Sequence, residues 1–170
     1  MVGSRFVLVL SSLLIASPAT AESAAVVERV CFTPGDQCAD VAIATIDRAT
    51  RSIRVQAYSF TSAPIAKALI DAKKSGIDVQ VILDKSNVSA RYSAAKFLQD
   101  VGIPVFIDHK HAIAHNKVII VDGTVVITGS YNFTAAAETH NAENMIVLKG
   151  NVARSYLDNW EKHREHSTPP

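Results

Sequence analysis

Strand-like and helix-like segments alternate along the chain, and this alternation constrains its fold more than any other feature. Stretches rich in β-branched and aromatic residues are separated by stretches whose apolar residues recur at helical spacing. Strands joined through helices require right-handed crossovers, which place consecutive strands parallel to each other. The predicted strands are SIRVQAYSF (52–60), DVQVILD (78–84) and PVFID (104–108), and the predicted helices cover 40–50, 63–76 and 89–102. The sequence therefore predicts the α/β class, with a mixed, largely parallel β-sheet flanked by helices on both faces.

The two ends of the chain differ from this body. Residues 1–21 contain one charge, Arg5, then an apolar run and small residues before the predicted cleavage site, which is the layout of a secretory signal peptide. The apolar run is too short to span a bilayer comfortably. We therefore expect an exported protein, periplasmic or secreted, with one domain over 22–170 and no membrane insertion. The amphipathic stretch 153–166 is predicted to pack on the sheet, and the tail STPP (167–170) to fray.

The charge balance gives no sign of a generally basic nucleic-acid binder. The chain has 17 Lys and Arg residues against 16 Asp and Glu residues, and loss of Arg5 with the leader leaves equal numbers. Affinity for phosphate must then come from a local patch. Residues that would line such a groove, or else be ordinary solvated charges, are Arg51, Arg54, Lys73, Lys74, Lys85, Arg91, Lys96 and Lys110.

Two cysteines, Cys31 and Cys38, enclose a short loop around a Pro-Gly turn. In an exported protein an even pair of cysteines predicts a disulfide, and two free thiols are the alternative. Neither version suggests catalysis.

A β-hairpin is predicted after the third strand. The dipeptide Asp122–Gly123 lies between the apolar runs KVIIV and TVVITG, which is a strong signal for a two-residue turn. Such a turn pairs Val121 with Thr124, and the same register places Lys117 opposite Thr128.

The open end of this hairpin gathers polar side chains. In the predicted register His115 faces Ser130, and period-two alternation sends Lys117 to the same face as His115. Asn132 follows within reach, and Gly129 allows the backbone to approach a ligand closely.

An imidazole, an ammonium, a hydroxyl and a carboxamide suit a phosphodiester. Lys117 and Asn132 can hold nonbridging oxygens, together with backbone N–H groups around Ser130. His115 can attack phosphorus or protonate the leaving oxygen. Glu143 is a candidate partner for the second nitrogen of His115. These five residues form the predicted catalytic set, and Lys117, Ser130 and Asn132 form the predicted phosphate-binding set.

Zinc binding is the main alternative for the segment HKHAIAHNK (109–117). His109, His111 and His115 are suitable ligand types, but no further ligand and no HExxH pattern accompanies them, and both cysteines lie far upstream. A solvated polar loop is a further reading of His109 and His111. We predict no metal site and no cofactor, and we group His115 with the residues that follow it.

At these residues the chain resembles the phospholipase D superfamily. Its HKD signature, H-x-K-(x)4-D-(x)6-G-S-x-N, is complete at His115, Lys117, Asp122, Gly129, Ser130 and Asn132. The segments AYSFT, KVIIVDG, GSYNFT and AAETHNAEN resemble the small bacterial endonucleases of that superfamily. The resemblance implies a phospholipase D-like α/β/α sandwich and metal-independent hydrolysis of a phosphodiester through a phosphohistidine intermediate. Asp122, at the turn, is expected to be structural.

The resemblance also implies a homodimer. Larger superfamily members carry two HKD motifs and this chain carries one, whereas the reaction uses one histidine as nucleophile and another as general acid. A two-fold contact that shares one active site between two copies of His115 supplies both. His109, His111 or His140 is the alternative source of the acid.

The expected substrate is nucleic acid, chiefly DNA held by backbone contacts with little sequence preference. A phospholipid headgroup hydrolase is the first alternative, and it requires an apolar entrance to the site. A catalytically inactive nucleic-acid-binding module is the second, although binding alone does not need a nucleophile.

Overall fold

The computed structural model describes residues 24–90 and 93–170, which form a seven-stranded sheet with helices on both faces. The strands are β1 (Val26–Thr33), β2 (Ser52–Ala57), β3 (Asp78–Asp84), β4 (Val105–Asp108), β5 (Lys117–Val121), β6 (Val125–Gly129) and β7 (Glu143–Lys149). The helices are α1 (Cys38–Ile46), α2 (Ala63–Lys74), α3 (Ala95–Asp100), α4 (Ala135–Thr139) and α5 (Val152–His166), with a 3-10 turn at Lys85–Asn87. The predicted signal peptide at 1–21 lies outside the described residues.

The sheet order is β1-β7-β6-β5-β2-β3-β4. β2, β3 and β4 pair in parallel, as the crossover argument predicts. The other pairings, β1 with β7, β7 with β6, β6 with β5 and β5 with β2, are antiparallel. The α/β class and the mixed sheet are confirmed, but the expectation of a largely parallel sheet is wrong, because the second half of the chain enters as a meander.

Helices α1 to α4 pack on one face of the sheet and α5 packs on the other. Helices α1 and α2 contribute Ala42 and Leu69, among others, to the larger cluster of buried apolar residues. On the opposite face Trp160 is 3% exposed and packs with Tyr156 and Leu157, as predicted. The indole N–H of Trp160 donates to the Val55 carbonyl at 2.8 Å, so this buried polar group is satisfied.

Local sequence signals predict the start of α2 well and the start of α3 poorly. Helix α2 begins after Ser62, whose hydroxyl accepts from the Ile65 N–H, and Pro64 lies in its first turn. Helix α3 was predicted over 89–102 but begins only at Ala95. The Ser93 hydroxyl accepts from the Ala95 N–H at 3.2 Å, just where the helix begins.

The hairpin has the predicted turn but not the predicted register. Asp122–Gly123 adopts positive φ angles of 54° and 69°, and the Thr124 N–H donates to the Val121 carbonyl at 3.1 Å. Val121 nevertheless pairs with Val125 in the ladder, because Thr124 is an extra residue whose carbonyl accepts from Gly150. Every predicted facing pair therefore shifts by one residue.

The first strand and the tail both depart from the sequence analysis. Strand β1 was not predicted, and it forms an edge of the sheet with exposed Val26 and Phe32. Its Cys31 forms the predicted disulfide with Cys38. The prediction of a frayed tail is wrong, because Thr168 exchanges two backbone hydrogen bonds with Ile107 of β4.

No helix among residues 24–90 and 93–170 combines the length and the apolar character needed to cross a membrane.

Candidate active site

Three antiparallel strands bring the predicted site residues to one edge of the sheet, by which we mean the edge formed by the ends of the strands and not by an outer strand. Lys117 is the first residue of β5, Gly129 is the last of β6, and Glu143 is the first of β7. Because neighbouring antiparallel strands run in opposite directions, these three ends meet. His115 lies just before β5, and Ser130 lies just after β6.

All five predicted catalytic residues line one open pocket at this edge. Its lining residues are His115, Lys117, Gly129, Ser130, Asn132 and Glu143. The register error in the hairpin did not affect this grouping, since the strand ends converge in either register. His109, His111 and His140 are not among the lining residues.

Lys117 is desolvated in an otherwise open site. The residue is 7% exposed, its Nζ donates to the His115 carbonyl at 2.9 Å, and Nζ lies 5.1 Å from the centroid of the Tyr58 ring. Burial lowers the pKa of the Lys117 ammonium below its ordinary value, and the negative charge of Glu143 opposes that shift. A buried ammonium with so few partners is well placed to bind an anion.

The imidazole of His115 packs against Tyr58. Their ring centroids are 4.6 Å apart with an angle of 58° between the planes. The Tyr58 N–H donates to the carbonyl of Asn116 at 2.8 Å, so the end of β2 holds the segment that carries His115. Tyr58 was not predicted as a site residue, although it lies in the segment AYSFT that resembles the small endonucleases.

Asp84 supports the same segment from β3. Its carboxylate, 3% exposed, accepts from the Ala114 N–H at 2.7 Å and from the Ser86 N–H at 2.9 Å. Burial alone would raise the pKa of the Asp84 carboxyl, but hydrogen bonds from Ser86 and Ala114 lower it below its ordinary value. Asp84 thus fixes the residue before His115 without entering the pocket, a role that sequence reasoning missed.

Ser130 is held by Asn144 of β7. The Ser130 Oγ accepts from the Asn144 N–H at 3.0 Å and from its Nδ2 at 3.3 Å. The Ser130 N–H donates to the Asn144 carbonyl at 3.0 Å. With its oxygen accepting from Asn144, the hydroxyl keeps its own proton to donate into the pocket.

The conformation of Gly129 serves the sheet rather than a ligand. Its φ is 142°, and a Cβ built on it would collide with the backbone of Asn144 and Met145. The close approach that Gly129 permits is therefore that of β6 to β7, and not the predicted approach of the backbone to a ligand.

Two polar groups of the site, on Asn132 and Glu143, lack hydrogen bonds that we would expect them to make. The buried Oδ1 of Asn132 has no hydrogen-bond partner among the described residues. The Glu143 carboxylate accepts from the Asn141 Nδ2 at 3.1 Å, and within 24–90 and 93–170 no hydrogen bond joins it to His115. The predicted pairing of Glu143 with His115 is thus not made within this chain.

Asp122, the acidic residue of the signature, is structural as predicted. At the far end of the hairpin its carboxylate accepts from the backbone N–H groups of Thr50, Arg51 and Ser52 at 2.8 to 2.9 Å, and from the Thr50 hydroxyl at 2.8 Å. Burial opposes the shift, but these hydrogen bonds hold the pKa of the Asp122 carboxyl below its ordinary value.

Most of the described basic residues that could line a groove lie away from the pocket or pair with carboxylates. Arg51 precedes β2, and Lys73 and Lys74 end α2 before β3, so these three residues belong to the opposite edge of the sheet. Arg54 and Lys96 pair with the carboxylates of Asp78 and Asp100. Lys85 and Lys110 remain at the edge that carries the pocket, and Arg91 lies outside the described residues.

A family model described as "Cardiolipin synthase, PLD-like domain" matches residues 42–164. A phospholipase D from Rickettsia felis is 49% identical over 131 residues, covering 76% of this chain and 66% of that protein. A mitochondrial cardiolipin hydrolase from Xenopus tropicalis is 33% identical over 116 residues, covering 68% of this chain and 55% of that protein. The match thus spans just under two thirds of the phospholipase D and about half of the cardiolipin hydrolase.

Solved structures of similar proteins share the fold along nearly their whole length. Nuc from Salmonella typhimurium, a phospholipase D family member, has a TM-score of 0.80 and 39% sequence identity, covering 86% of this chain and 99% of that chain. NucT from Helicobacter pylori has a TM-score of 0.76 and 25% identity, covering 84% and 98% of the two chains. Since the family model covers more than half of the sequence and the signature residues other than Asp122 meet in one pocket, the chain belongs to the phospholipase D superfamily.

Proposed function

We propose that the chain is a metal-independent phosphodiesterase, an endonuclease that cleaves DNA without sequence preference through a phosphohistidine intermediate. The observation that carries this proposal is the convergence of His115, Lys117, Ser130, Asn132 and Glu143 on one pocket. Together these residues offer a nucleophile, a cation and neutral hydrogen-bond donors around a space open to a polymer.

The first step is an in-line attack on phosphorus. A ring nitrogen of His115 forms a P–N bond while the P–O bond to the leaving group breaks. Lys117 and the amide N–H groups of Asn132 bind the nonbridging oxygens and stabilise the charge that accumulates there. The hydroxyl of Ser130 donates a further hydrogen bond. The desolvation of Lys117 strengthens its interaction with these oxygens.

The leaving oxygen needs a proton, which His115 cannot supply while it attacks. Among the described residues the pocket contains one histidine, so a second copy of the chain is the proposed source of the acid. In the second step water attacks the phosphohistidine, the acid now takes the proton of that water as a base, and the P–N bond breaks. Both histidines return to their starting states.

DNA is supported by shape and by similarity. The pocket lies open at a sheet edge, and Nuc and NucT resemble this chain over almost their whole length. The pocket itself offers contacts suited to phosphates rather than to base edges, which supports cleavage with little sequence preference.

Hydrolysis of a phospholipid headgroup is the second candidate. Relatives named phospholipase D and mitochondrial cardiolipin hydrolase point to it. Ile113, two residues before His115, is 57% exposed and offers an apolar contact near the site. One exposed side chain is a small interfacial surface, so DNA remains the proposal.

The deciding experiment offers both substrates to the same purified protein. The protein is incubated with supercoiled plasmid and, separately, with vesicles of phosphatidylcholine and of cardiolipin. Each reaction contains excess EDTA and is kept below the melting temperature that the protein has in EDTA. We expect nicking and linearisation of the plasmid, little release of headgroup, and no reaction with the His115→Asn variant.

Other outcomes would change the assignment. Vesicle hydrolysis without plasmid cleavage selects the lipid enzyme, and Ile113→Ser should then slow that reaction. If the protein retards DNA in a gel-shift assay but does not cleave it, the chain is a catalytically inactive nucleic-acid-binding module. Activity that EDTA abolishes and added metal restores contradicts a metal-independent reaction.

A further inference from the structure

A second cluster of chemistry-bearing side chains lies at the same edge of the sheet, outside the pocket. Asp108 ends β4, His111 follows in the next loop, and His163 and His166 lie on the last turn of α5. Asp108 is three strands from Lys117 across the sheet, which corresponds to about 14 Å at the usual strand spacing. None of these four residues has a part in the proposed reaction.

Three imidazole nitrogens converge on one carboxylate oxygen. The Asp108 Oδ2 lies 2.8 Å from the Nδ1 of His163, 3.0 Å from the Nδ1 of His111 and 3.2 Å from the Nε2 of His166. One potential ligand atom from each of the four residues lies within 4.8 Å of all the others. In a tetrahedral zinc site the ligand atoms are about 3.3 Å apart, so this cluster is already close to the spacing that the ion requires.

Hydrogen bonding alone accounts poorly for this arrangement. An oxygen with two lone pairs faces three ring nitrogens, all of which would have to carry protons in order to donate to it. The other oxygen, Oδ1, accepts from the Lys110 N–H at 3.0 Å and lies 3.2 Å from the Nδ1 of His111, slightly farther than Oδ2 does. That division fits a metal ligand well, since one carboxylate oxygen faces the ion while a backbone N–H orients the other.

We propose that Asp108, His111, His163 and His166 form a structural zinc site. Three imidazoles and one carboxylate match the ligand preference of zinc and of similar transition metals, whereas calcium and magnesium require more oxygen ligands.

The site is held in shape before any ion binds. The spacing of His163 and His166 places both side chains on one face of α5. The Ser167 hydroxyl donates to the His163 carbonyl at 2.7 Å, and the Nζ of Lys85 donates to the His111 carbonyl at 3.0 Å. The backbone pair between Thr168 and Ile107 fixes the end of α5 beside β4.

An ion can reach this site from solvent. The Asp108 side chain is fully buried, while those of His163, His166 and His111 are 15%, 22% and 43% exposed. These histidines line a surface concavity with Lys110, Lys162 and Glu165 at its rim. Because two lysines stand there, affinity must come from the imidazole lone pairs rather than from net negative charge.

Zinc at this position would connect three parts of the fold. It would join the end of β4, the loop that leads to His115, and the C-terminal turn of α5. The expected consequence is stability, because a ligand that binds only the folded state raises its free energy of unfolding.

The test measures zinc on the whole protein rather than activity. Protein stripped with EDTA and exchanged into chelator-free buffer is titrated with Zn²⁺ by calorimetry and by competition with a chromogenic chelator. We expect one ion per chain, with a Kd on the order of 10⁻⁷ M or tighter. Zinc at a hundredfold excess over Kd should raise the Tm by about 5 °C or more, and Mg²⁺ should not.

Matched variants assign the ligands. His163→Ala/His166→Ala should lose the tight site and the Tm increase, whereas His109→Ala/His140→Ala, which removes two exposed histidines that are not among the four ligands, should keep both. X-ray absorption of the loaded wild-type protein should show nitrogen and oxygen neighbours and no sulfur. This measurement decides the ligand type even if the first double variant fails to fold.

Two results would overturn the proposal. Folded wild-type protein that binds zinc only weakly would show that the cluster is a hydrogen-bonded network. Tight binding that survives His163→Ala/His166→Ala would place the ion elsewhere.

Discussion

Individual residues of the pocket have unequal parts in the proposed reaction, which predicts a graded series of variants. His115→Asn removes the nucleophile and the acid together and should leave essentially no plasmid cleavage. Lys117→Ala removes a desolvated cation beside the reacting phosphate and should cost about 3 kcal/mol or more in the barrier. Glu143→Ala should cost less than either, since Glu143 acts through the charges around it. The rate of plasmid cleavage under single-turnover conditions measures the effect of all three substitutions.

The control for this series is His109→Ala, which removes an exposed histidine of the same loop outside the pocket. It should retain most of the activity. Wild-type turnover in His115→Asn would refute the assignment of the site.

Asp122 gives a residue-scale prediction about stability. Asp122→Asn keeps a residue type that tolerates positive φ but weakens the hydrogen bonds from Thr50, Arg51 and Ser52, so we expect a loss of about 1–2 kcal/mol at pH 7. The pKa of Asp122 is lowered in the folded state, so its stabilisation is present above the unfolded pKa and disappears as pH falls through the folded value. The difference between wild type and variant should therefore shrink below about pH 4.

Urea unfolding at neutral and acid pH measures this difference. Asp71→Asn is the matched control, because Asp71 is exposed and, within the described part of the chain, its side chain bonds only Lys67 along the same helix, so its effect should be much smaller. A difference that stayed constant with pH would mean that the Asp122 charge is not the cause.

The sequence identified the residues that line the pocket but not the residues that support them. His115, Lys117, Ser130 and Asn132 stand at fixed spacing in one short segment, so local reasoning found them. Tyr58 supports His115 through a contact that only the fold creates, as Asp84 and Asn144 do for their neighbours, and the local sequence of these residues gives no sign of it.

At the scale of elements, the mostly buried strands were predicted, including the edge strand β4, whereas the exposed edge strand β1 was not. Strands β2, β3 and β4 are rich in apolar, mostly β-branched residues, and most of their residues are buried. Strand β1 is mostly exposed, so its pattern is weak. The hairpin register was wrong because Thr124 bonds to Gly150, a residue beyond the hairpin itself.

The close packing of β6 on β7 predicts that Gly129→Ala is strongly destabilising. The new Cβ would collide with the backbone of Asn144 at a positive φ of 142°. We expect a loss of at least about 2 kcal/mol, from backbone strain and overpacking together. Activity should fall as well, because the same contact spaces Ser130 from Glu143. Urea unfolding and plasmid cleavage measure the two effects.

Gly102→Ala separates strain from collision. Gly102 also has a positive φ, 78°, but its Cβ would meet open space. That variant should show only the cost of strain, about 1 kcal/mol, with activity retained. Equal losses in the two variants would show that the contact between β6 and β7 is not tight.

For the whole molecule, the sequence predicted the fold class and superfamily membership, and both are confirmed. The direction of the strands was less accessible. Local periodicity shows that β5 is a strand, but its place beside β2 rather than beside β4 depends on packing across the sheet. The proposed dimer belongs to the same scale, because one chain supplies one histidine to the pocket whereas the proposed reaction uses two.

Subunit mixing tests that dimer directly. Wild-type protein is exchanged with an equal amount of His115→Asn protein, and random pairing makes about half of the dimers mixed. A mixed dimer lacks either the nucleophile or the acid, so activity should fall to about half of its unmixed value. Mixing with His109→Ala protein should cause no such fall, and mass-tagged chains must show that exchange has occurred. If exchange is complete and activity is undiminished, each chain works alone. The acid must then come from the same chain, and since His109, His111 and His140 lie outside the pocket, one of them would have to move to reach it.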